Sequence, residues 1–149
     1  MSNEFTPTLF TPLSTAALEE MSGARAFIAD VAKNLVAGSE LTQSDRDLPV
    51  LQALASHEAM KHANYEAWVA LGIAFGDALA AYVPGLVWRL VTDQRSTYAA
   101  LQFEGKALSV AAPTMLWKRV ERGEDIDLVY IASELKTLIE ERAIEAKDV

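Results

Sequence analysis

The chain has 149 residues, of which 51% are apolar and 23% are charged, and its formal net charge is −8. This length and this mixture predict one globular domain, residues 1–149, with a sizeable core, and they exclude a generally disordered chain. The sequence has no cysteine, which excludes disulfides, zinc–thiolate sites, iron–sulfur clusters and a cysteine nucleophile.

The excess of acidic residues extends over the whole chain. Residues 1–75 carry 4 basic and 9 acidic side chains, and residues 76–149 carry 9 and 12. Neither half therefore favours nucleic acid or an anionic membrane as a partner. The N-terminal segment lacks the basic and apolar regions of a secretory signal, and the longest uncharged apolar-rich run, Ala67–Gly76, is too short to span a bilayer. These features predict a cytoplasmic location.

The first elements in the chain are an arm and a helix. Thr-Pro pairs in and next to residues 1–11 predict an extended arm, whose Phe5, Leu9 and Phe10 are apolar enough to dock onto the body. A first helix is predicted to begin near Pro12–Thr15, with Thr11 or Ser14 as its N-cap. Its apolar stripe, at gaps of three and four, comprises Leu18, Met21, Ala24, Ile28, Val31 and Leu35.

Two more helices are predicted before the pattern changes. The second begins with Asp47 as a capping residue and ends or bends around His57–Ala63. The third runs from about Asn64, as N-cap, to about Tyr82, and Pro84 follows it.

Three glycines lie inside predicted helices, where each costs about 1 kcal/mol relative to alanine. Gly23 lies in the first helix and is expected to mark a close helix crossing. Gly72 and Gly76 are four residues apart in the third helix, so they share one face. This pair predicts that another backbone approaches the third helix closely.

After Pro84 the apolar period changes from 3.6 to 2 residues, which indicates strands. Three strands are predicted, at Leu86–Thr92, Tyr98–Phe103 and Lys106–Ala111. A short helix at Thr114–Arg122 and a last helix at about Ile126–Ala146 follow. The predicted stripe of the last helix comprises Ile126, Val129, Tyr130, Ala132, Leu135, Leu138 and Ile139.

These elements predict an α+β fold. Three N-terminal helices and the C-terminal helix (about 126–146) pack on one face of a three-stranded antiparallel sheet (about 86–111). The short helix (about 114–122) lies between the sheet and the C-terminal helix.

One stretch of the chain resembles a known family. The segments LGIAFGDAL, WRLVTD, AALQ and APTMLWKRVERGE follow one another in order between about Trp68 and Glu134. In their order and spacing they resemble the bacterial family catalogued as domain of unknown function 3806. The chain departs from the expected Asp-x-x-Gly of the first hairpin, where it has Asp93-Gln94-Arg95-Ser96. The resemblance implies an α+β domain, and it implies no catalytic residues.

A catalytic or metal-binding interpretation depends on one helical segment. Glu58, His62 and Glu66 are spaced at i, i+4 and i+8, so a helix would place them on one face as a metal or acid–base group. An exposed, ion-paired helix face explains the same spacing. His57 and His62 are five residues apart and do not share a face. The sequence contains no Gly-x-Ser-x-Gly motif and no phosphate-binding loop, so no cofactor is predicted.

Two groups of residues suggest recognition. The turn between the first two predicted strands contains Asp93, Arg95 and Tyr98. Arginine and tyrosine are enriched at binding hot spots, which suggests a recognition patch. The alternative is that the aspartate only stabilises the turn, as aspartates commonly do. Lys118 and Arg119 belong to a basic cluster on the short helix, for which a solvated face is the alternative. Trp88 and Trp117 are expected to be core residues or binding anchors.

Three functions remain open. The first is a non-enzymatic immunity-type protein that blocks the basic active site of a bacterial toxin or effector domain. The second is a metal-dependent or hydrolytic enzyme that uses Glu58, His62 and Glu66. The third is a structural homo-oligomer built on the face of Gly72 and Gly76. The first is favoured by the acidic residues of the first half, which are Glu19, Glu20, Asp30, Glu40, Asp45 and Asp47.

Overall fold

The computed structural model describes residues 8–149 and confirms the α+β class. The described residues contain six α-helices, one 3₁₀ turn at Asp45–Asp47 and four strands. The strands and helices are β1 (Leu9–Thr11), α1 (Thr15–Leu35), α2 (Leu48–Ala55), α3 (Glu58–Lys61), α4 (Tyr65–Tyr82), β2 (Leu86–Thr92), β3 (Thr97–Phe103), β4 (Ser109–Val110), α5 (Ala112–Glu121) and α6 (Leu128–Glu145).

Helix α4 lies at the centre of the molecule. It is buried on most sides from Ala67 to Leu79, as its nearly continuous apolar sequence requires. Helices α1, α2, α5 and α6 all pack against it, and α4 and α5 also contact the sheet. Helices α4 and α5 therefore pack on the sheet, and helices α1, α2 and α6 pack on α4. This arrangement corrects the prediction that four helices pack directly on one sheet face.

The two glycines of α4 make this packing possible. A Cβ atom at Gly72 would lie 2.6 Å from the carbonyl oxygens of both Ala112 and Pro113, at the start of α5. A Cβ atom at Gly76 would lie 2.5 Å from the indole ring of Trp88. The predicted close approach of another backbone is confirmed. A homo-oligomer was predicted to form through the face of Gly72 and Gly76. In the structure, α5 and Trp88 of the same chain occupy this face.

The sheet has the order β1-β2-β3-β4, with every pair antiparallel. The fourth strand was missed, since Leu9–Thr11 was expected only as part of an extended arm. It pairs with the end of β2, Leu9 opposite Thr92 and Thr11 opposite Leu90. Of the three residues expected to dock, Phe5 lies outside the described residues, Leu9 is 56% exposed and Phe10 is half-buried.

The last predicted strand is shorter than expected. Only Ser109–Val110 pair with β3, whereas the prediction was Lys106–Ala111. Residues 105–107 turn their backbone toward the C-terminal tail instead: the Ala107 amide donates to the Lys147 carbonyl at 2.7 Å. The Val149 amide likewise donates to the Gly105 carbonyl at 3.0 Å.

Helix ends follow the predicted caps with one difference. The side chains of Ser14 and Asn64 accept from the amides of Ala17 and Ala67, so both are N-caps as expected. Asp47 occupies the N-cap position of α2, but its side chain makes no capping bond to that helix. Its buried carboxylate instead accepts hydrogen bonds from backbone amides of the preceding loop.

Two predicted apolar stripes are partly wrong. In α1, Leu18 is exposed, whereas Met21, Ile28 and Ala32 are buried. In α6, Leu128 and Ile131 are buried in place of the expected Val129 and Tyr130, which are exposed. Gly23 marks no helix crossing, because nothing lies within 4 Å of where its Cβ would be. Among residues 8–149, no helix combines the length and apolarity that crossing a membrane requires.

Candidate functional site

A cleft of about 640 Å³ lies between α1, α4, the start of α5 and the β2–β3 turn. Its floor is apolar, and its rim carries the charges of Glu20 on α1, Arg95 in the turn and Lys118 on α5. The apolar residues of the lining include Met21, Val69, Ile73, Leu90 and Ala99. A concave apolar surface with a few converging polar groups is the usual form of a binding site.

The structure brings four of the five predicted binding residues to this cleft. Asp93, Arg95, Tyr98 and Lys118 all contribute to its lining. They come from the turn and from α5, which are apart in sequence and meet because β4 leads directly into α5. Arg119 does not contribute. It lies beside Glu124, with 3.4 Å between its guanidinium and the carboxylate, and Arg122 pairs with the same glutamate at 2.7 Å.

The carboxylate of Asp93 organises the turn. It accepts hydrogen bonds from the backbone amides of Arg95 at 2.8 Å and Ser96 at 3.0 Å. These two donors, the Arg95 amide first, lower the pKa of Asp93 below its ordinary value. The turn-chemistry interpretation therefore holds for this residue, and Asp93 fixes the position from which the Arg95 side chain extends.

Arg95 and Lys118 are the cations of the cleft. Both are exposed, and within residues 8–149 no carboxylate lies within 4 Å of either side-chain nitrogen. Glu20 on α1 and Asp93 in the turn also line the cleft, so groups of both charges surround its apolar floor. A bound segment would be oriented by these opposite charges.

Tyr98 lies at the edge of the cleft rather than inside it. It is paired with Val91, and side chains alternate along a strand, so it belongs to the sheet face opposite that of Leu90 and Ala99. Burial raises the pKa of the Tyr98 phenol, and the nearby negative charge of Asp93 raises it further. Arg95 and Tyr98 nevertheless both line the cleft, and their role as a recognition patch stays a prediction.

One aromatic residue that the sequence interpretation did not assign to a site borders the cleft, and it packs on Trp117, which was expected to be a core residue or a binding anchor. Tyr65, at the start of α4, lines the cleft and is 48% exposed. Its ring meets that of Trp117 edge to face, with 5.7 Å between the ring centroids. An exposed tyrosine supported by a tryptophan is a rigid contact surface of the kind found at hot spots. The signal for this pair was the tryptophan in the family-like segment TMLWKR.

A buried polar network holds the walls of the cleft together. Asp77 of α4 is 7% exposed and accepts from Arg25 of α1 at 2.8 and 2.9 Å. It also accepts from the Trp88 indole of β2 at 3.0 Å. The hydrogen bond from Arg25 to Asp77 is the main reason that the pKa of Arg25 is raised. The sequence interpretation missed Asp77, although it is the one charged residue between Glu66 and Arg89.

A second buried carboxylate shapes a neighbouring loop. Asp47 is 3% exposed and accepts from the amide and hydroxyl of Thr42 and from the amide of Gln43, each at 2.8 Å. Asp47 was counted among the acidic residues that would meet a basic partner. Its burial removes it from that surface.

The three residues proposed as a metal or acid–base group, Glu58, His62 and Glu66, do not form one cluster. Glu58 and His62 lie 3.4 Å apart, and both are largely exposed. Within the described part of the chain, no three His, Asp or Glu side chains form a group that could hold a metal ion. Glu66 lines a separate groove beside Phe27 and Asn64. The exposed, ion-paired helix face therefore describes Glu58 and His62.

Comparison with known proteins gives a family and a fold. No curated protein matches the chain. A solved crystal structure from Bacteroides thetaiotaomicron VPI-5482 superposes with a TM-score of 0.74 at 16% sequence identity, over 91% of this chain and 49% of that one. The chain thus spans about half the length of that protein, and the likeness concerns the fold alone.

The family match covers most of the elements around the cleft but not α1, which forms one wall and supplies Arg25 to the network. It extends from residue 47 to residue 131, and so begins earlier than the segment that showed the resemblance. It includes α2, α4, the hairpin, α5 and the start of α6. The chain belongs to the family described as Domain of unknown function (DUF3806).

Proposed function

We propose that this chain is a non-enzymatic binding protein whose cleft recognises a segment of a partner protein. The observation that carries the proposal is the convergence of Arg95, Lys118 and Tyr65 around one apolar floor. Arginine and tyrosine are the side chains most often found at the centre of protein interfaces. The rim charges supply orientation, and the apolar floor supplies area that loses water on binding.

The partner that we propose is a bacterial toxin or effector domain with a basic active site, and the role is that of a cytoplasmic immunity-type protein. The net charge of −8 favours encounter with such a domain. Five of the six acidic residues named above are exposed, namely Glu19, Glu20, Asp30, Glu40 and Asp45. Glu20 connects this acidic surface to the cleft, because it lies on the α1 wall.

Co-expression tests the proposal. Each reading frame adjacent to the gene is expressed alone and with this chain, and growth and co-purification are measured. We expect one neighbour to inhibit growth, this chain to restore it, and the two proteins to form a stable complex. If no neighbouring gene product inhibits growth, and none forms a complex with this chain, the proposed immunity role is wrong.

Charge-reversal variants then test the cleft itself. Arg95→Glu and Lys118→Glu each reverse a cation that we propose contacts an acidic group of the bound segment, outside the partner's basic active site, and we expect each to weaken the complex about tenfold. Lys33→Glu is the matched control, since Lys33 is an exposed cation of α1 that does not line the cleft. A complex equally sensitive to all three variants would contradict recognition by the cleft.

A further inference from the structure

A second concave surface, the α6 groove, lies between β4, α5 and the C-terminal half of α6. Its volume is about 270 Å³, and it shares Lys118 with the cleft. This volume is below the roughly 300–1,000 Å³ of sites for whole small ligands, and it suits one or two side chains of a longer molecule. The apolar lining consists of Leu108, Val110, Met115, Leu135, Leu138 and Ile139.

The α6 groove is bordered by two cations. Lys118 of α5 and Arg142 of α6 both line it, and both are exposed. Neither has a carboxylate within 4 Å among residues 8–149, although the whole chain has 21 acidic residues. The groove is therefore complementary to an apolar ligand that carries negative charge.

One edge of the groove is formed by β4, where the backbone of a single residue of the described chain, Ser109, is free to pair with an added segment. The Phe103 amide donates to the Leu108 carbonyl, and Leu101 is paired with Val110, so Ser109 between them directs its backbone N–H and C=O away from β3. The C-terminal tail already pairs with this outer edge, with Lys106 opposite Asp148. The hydrogen bonds of this pairing reach Ala107, and α6 ends at Glu145. No backbone group of the described residues bonds to Ser109 on that side.

We infer that the α6 groove binds an extended acidic segment of a partner protein, which adds to the sheet edge at Ser109. The segment places an apolar side chain against Leu138 and Met115 and its carboxylates beside Lys118 and Arg142. This mode of recognition combines main-chain hydrogen bonds with side-chain pockets, as in other cases of strand addition. The inference does not rest on the function proposed for the cleft; Lys118 borders both surfaces, so Arg142, which lines only the α6 groove, is the residue that tests it.

The probe is a capped hexapeptide of alternating aspartate and valine, titrated into the full chain and followed by amide NMR shifts. We expect saturable shifts at Ser109 and along residues 135–142. Arg142→Glu should weaken binding about tenfold, and the matched Lys33→Glu variant should not. Thermal melts of both variants show that each is folded.

Three further probes distinguish the alternatives. A peptide with lysine in place of aspartate should not bind, because it meets Lys118 and Arg142 with like charge. A peptide with a central proline should bind more weakly, because it cannot donate to a strand edge. Octanoate, an anionic apolar molecule without a backbone, should not reproduce the shift at Ser109. Absence of binding by the acidic peptide, equal binding by the proline peptide, or equal shifts with octanoate would each overturn the inference.

Discussion

The indole of Trp88 and the carboxylate of Asp77 form a buried hydrogen bond of 3.0 Å that joins the sheet to the central helix. The bond is possible because Gly76, the residue before Asp77, leaves room for the ring. Arg25 brings α1 to the same carboxylate, so three elements of the cleft wall meet at one side chain. The family-like segments LGIAFGDAL and WRLVTD contribute the two halves of this contact.

Substituting Trp88→Phe tests the hydrogen bond. Phenylalanine keeps an aromatic ring against Gly76 but donates no hydrogen bond, and a bond to a charged acceptor contributes about 1.5–3 kcal/mol. We expect the free energy of unfolding in urea to fall by about 2 kcal/mol. Trp117→Phe is the control, because Trp117 makes an edge-to-face contact instead. Equal losses from the two substitutions would show that the indole donor of Trp88 contributes nothing specific.

The glycines of the helices should respond to alanine in opposite directions. Gly72→Ala drives a Cβ into two carbonyl oxygens at 2.6 Å, so we expect a loss of about 1–3 kcal/mol despite the better helix propensity of alanine. Gly23→Ala meets nothing within 4 Å and should gain about 0.5–1 kcal/mol. Urea unfolding of both variants measures the difference. A gain of stability at Gly72 would mean that α5 does not pack on α4 as described.

The loop before α2 should depend on Asp47 and not on Asp45. Asp47→Ala removes the acceptor of the Thr42 and Gln43 amides; because both residues are exposed, water can replace part of this bonding, and we expect a loss of about 1 kcal/mol in the free energy of unfolding. Asp45→Ala removes an exposed carboxylate two residues away and should change the free energy of unfolding by less than about 0.5 kcal/mol. If both variants are equally stable, the buried hydrogen bonds of Asp47 do not stabilise the loop.

The turn of the cleft predicts a pH dependence. The pKa of Tyr98 is raised in the folded chain by burial and by Asp93, so the neutral phenol is favoured there. Its contribution to stability is therefore present below the unfolded-state pKa of about 10 and is lost as pH rises through the folded-state pKa. Asp93→Asn removes the neighbouring charge and should lower the pKa of Tyr98 in an ultraviolet titration of tyrosinate. Tyr98→Phe identifies which part of the titration curve belongs to this residue, and an unchanged curve for Asp93→Asn would contradict the coupling.

Local patterns predict much of this fold from the sequence. The bounds of α4 and β2 follow from the apolar period, an asparagine cap and the Pro-Gly stop, all of which act within a few residues. The strand at Leu9–Thr11 could not be predicted in this way, because three residues show no period and their pairing with β2 is a long-range contact. Val129 and Tyr130 were assigned to the core because a broad apolar helix does not define which side faces α2 and α4.

The site was predicted in part. The turn and the basic helix were identified by residue type, but their convergence depends on the short β4 and on the glycines of α4. The side of the sheet on which Tyr98 lies was not predicted, because the register that pairs it with Val91 depends on the length of the turn. Asp77 could have been identified from a single charge inside an apolar helix, which indicates a buried partner.

The most direct test of the account places a photo-crosslinking side chain at Ser96, on the rim of the cleft, in the full chain expressed in its own cells. The matched control carries the same group at Lys33, which is exposed on α1 away from the lining. If the cleft binds a partner protein, Ser96 yields a discrete crosslinked product that Lys33 does not, and Arg95→Glu reduces its yield. Absence of a product at Ser96, or the same product from both positions, would contradict the proposal that this cleft is the binding surface.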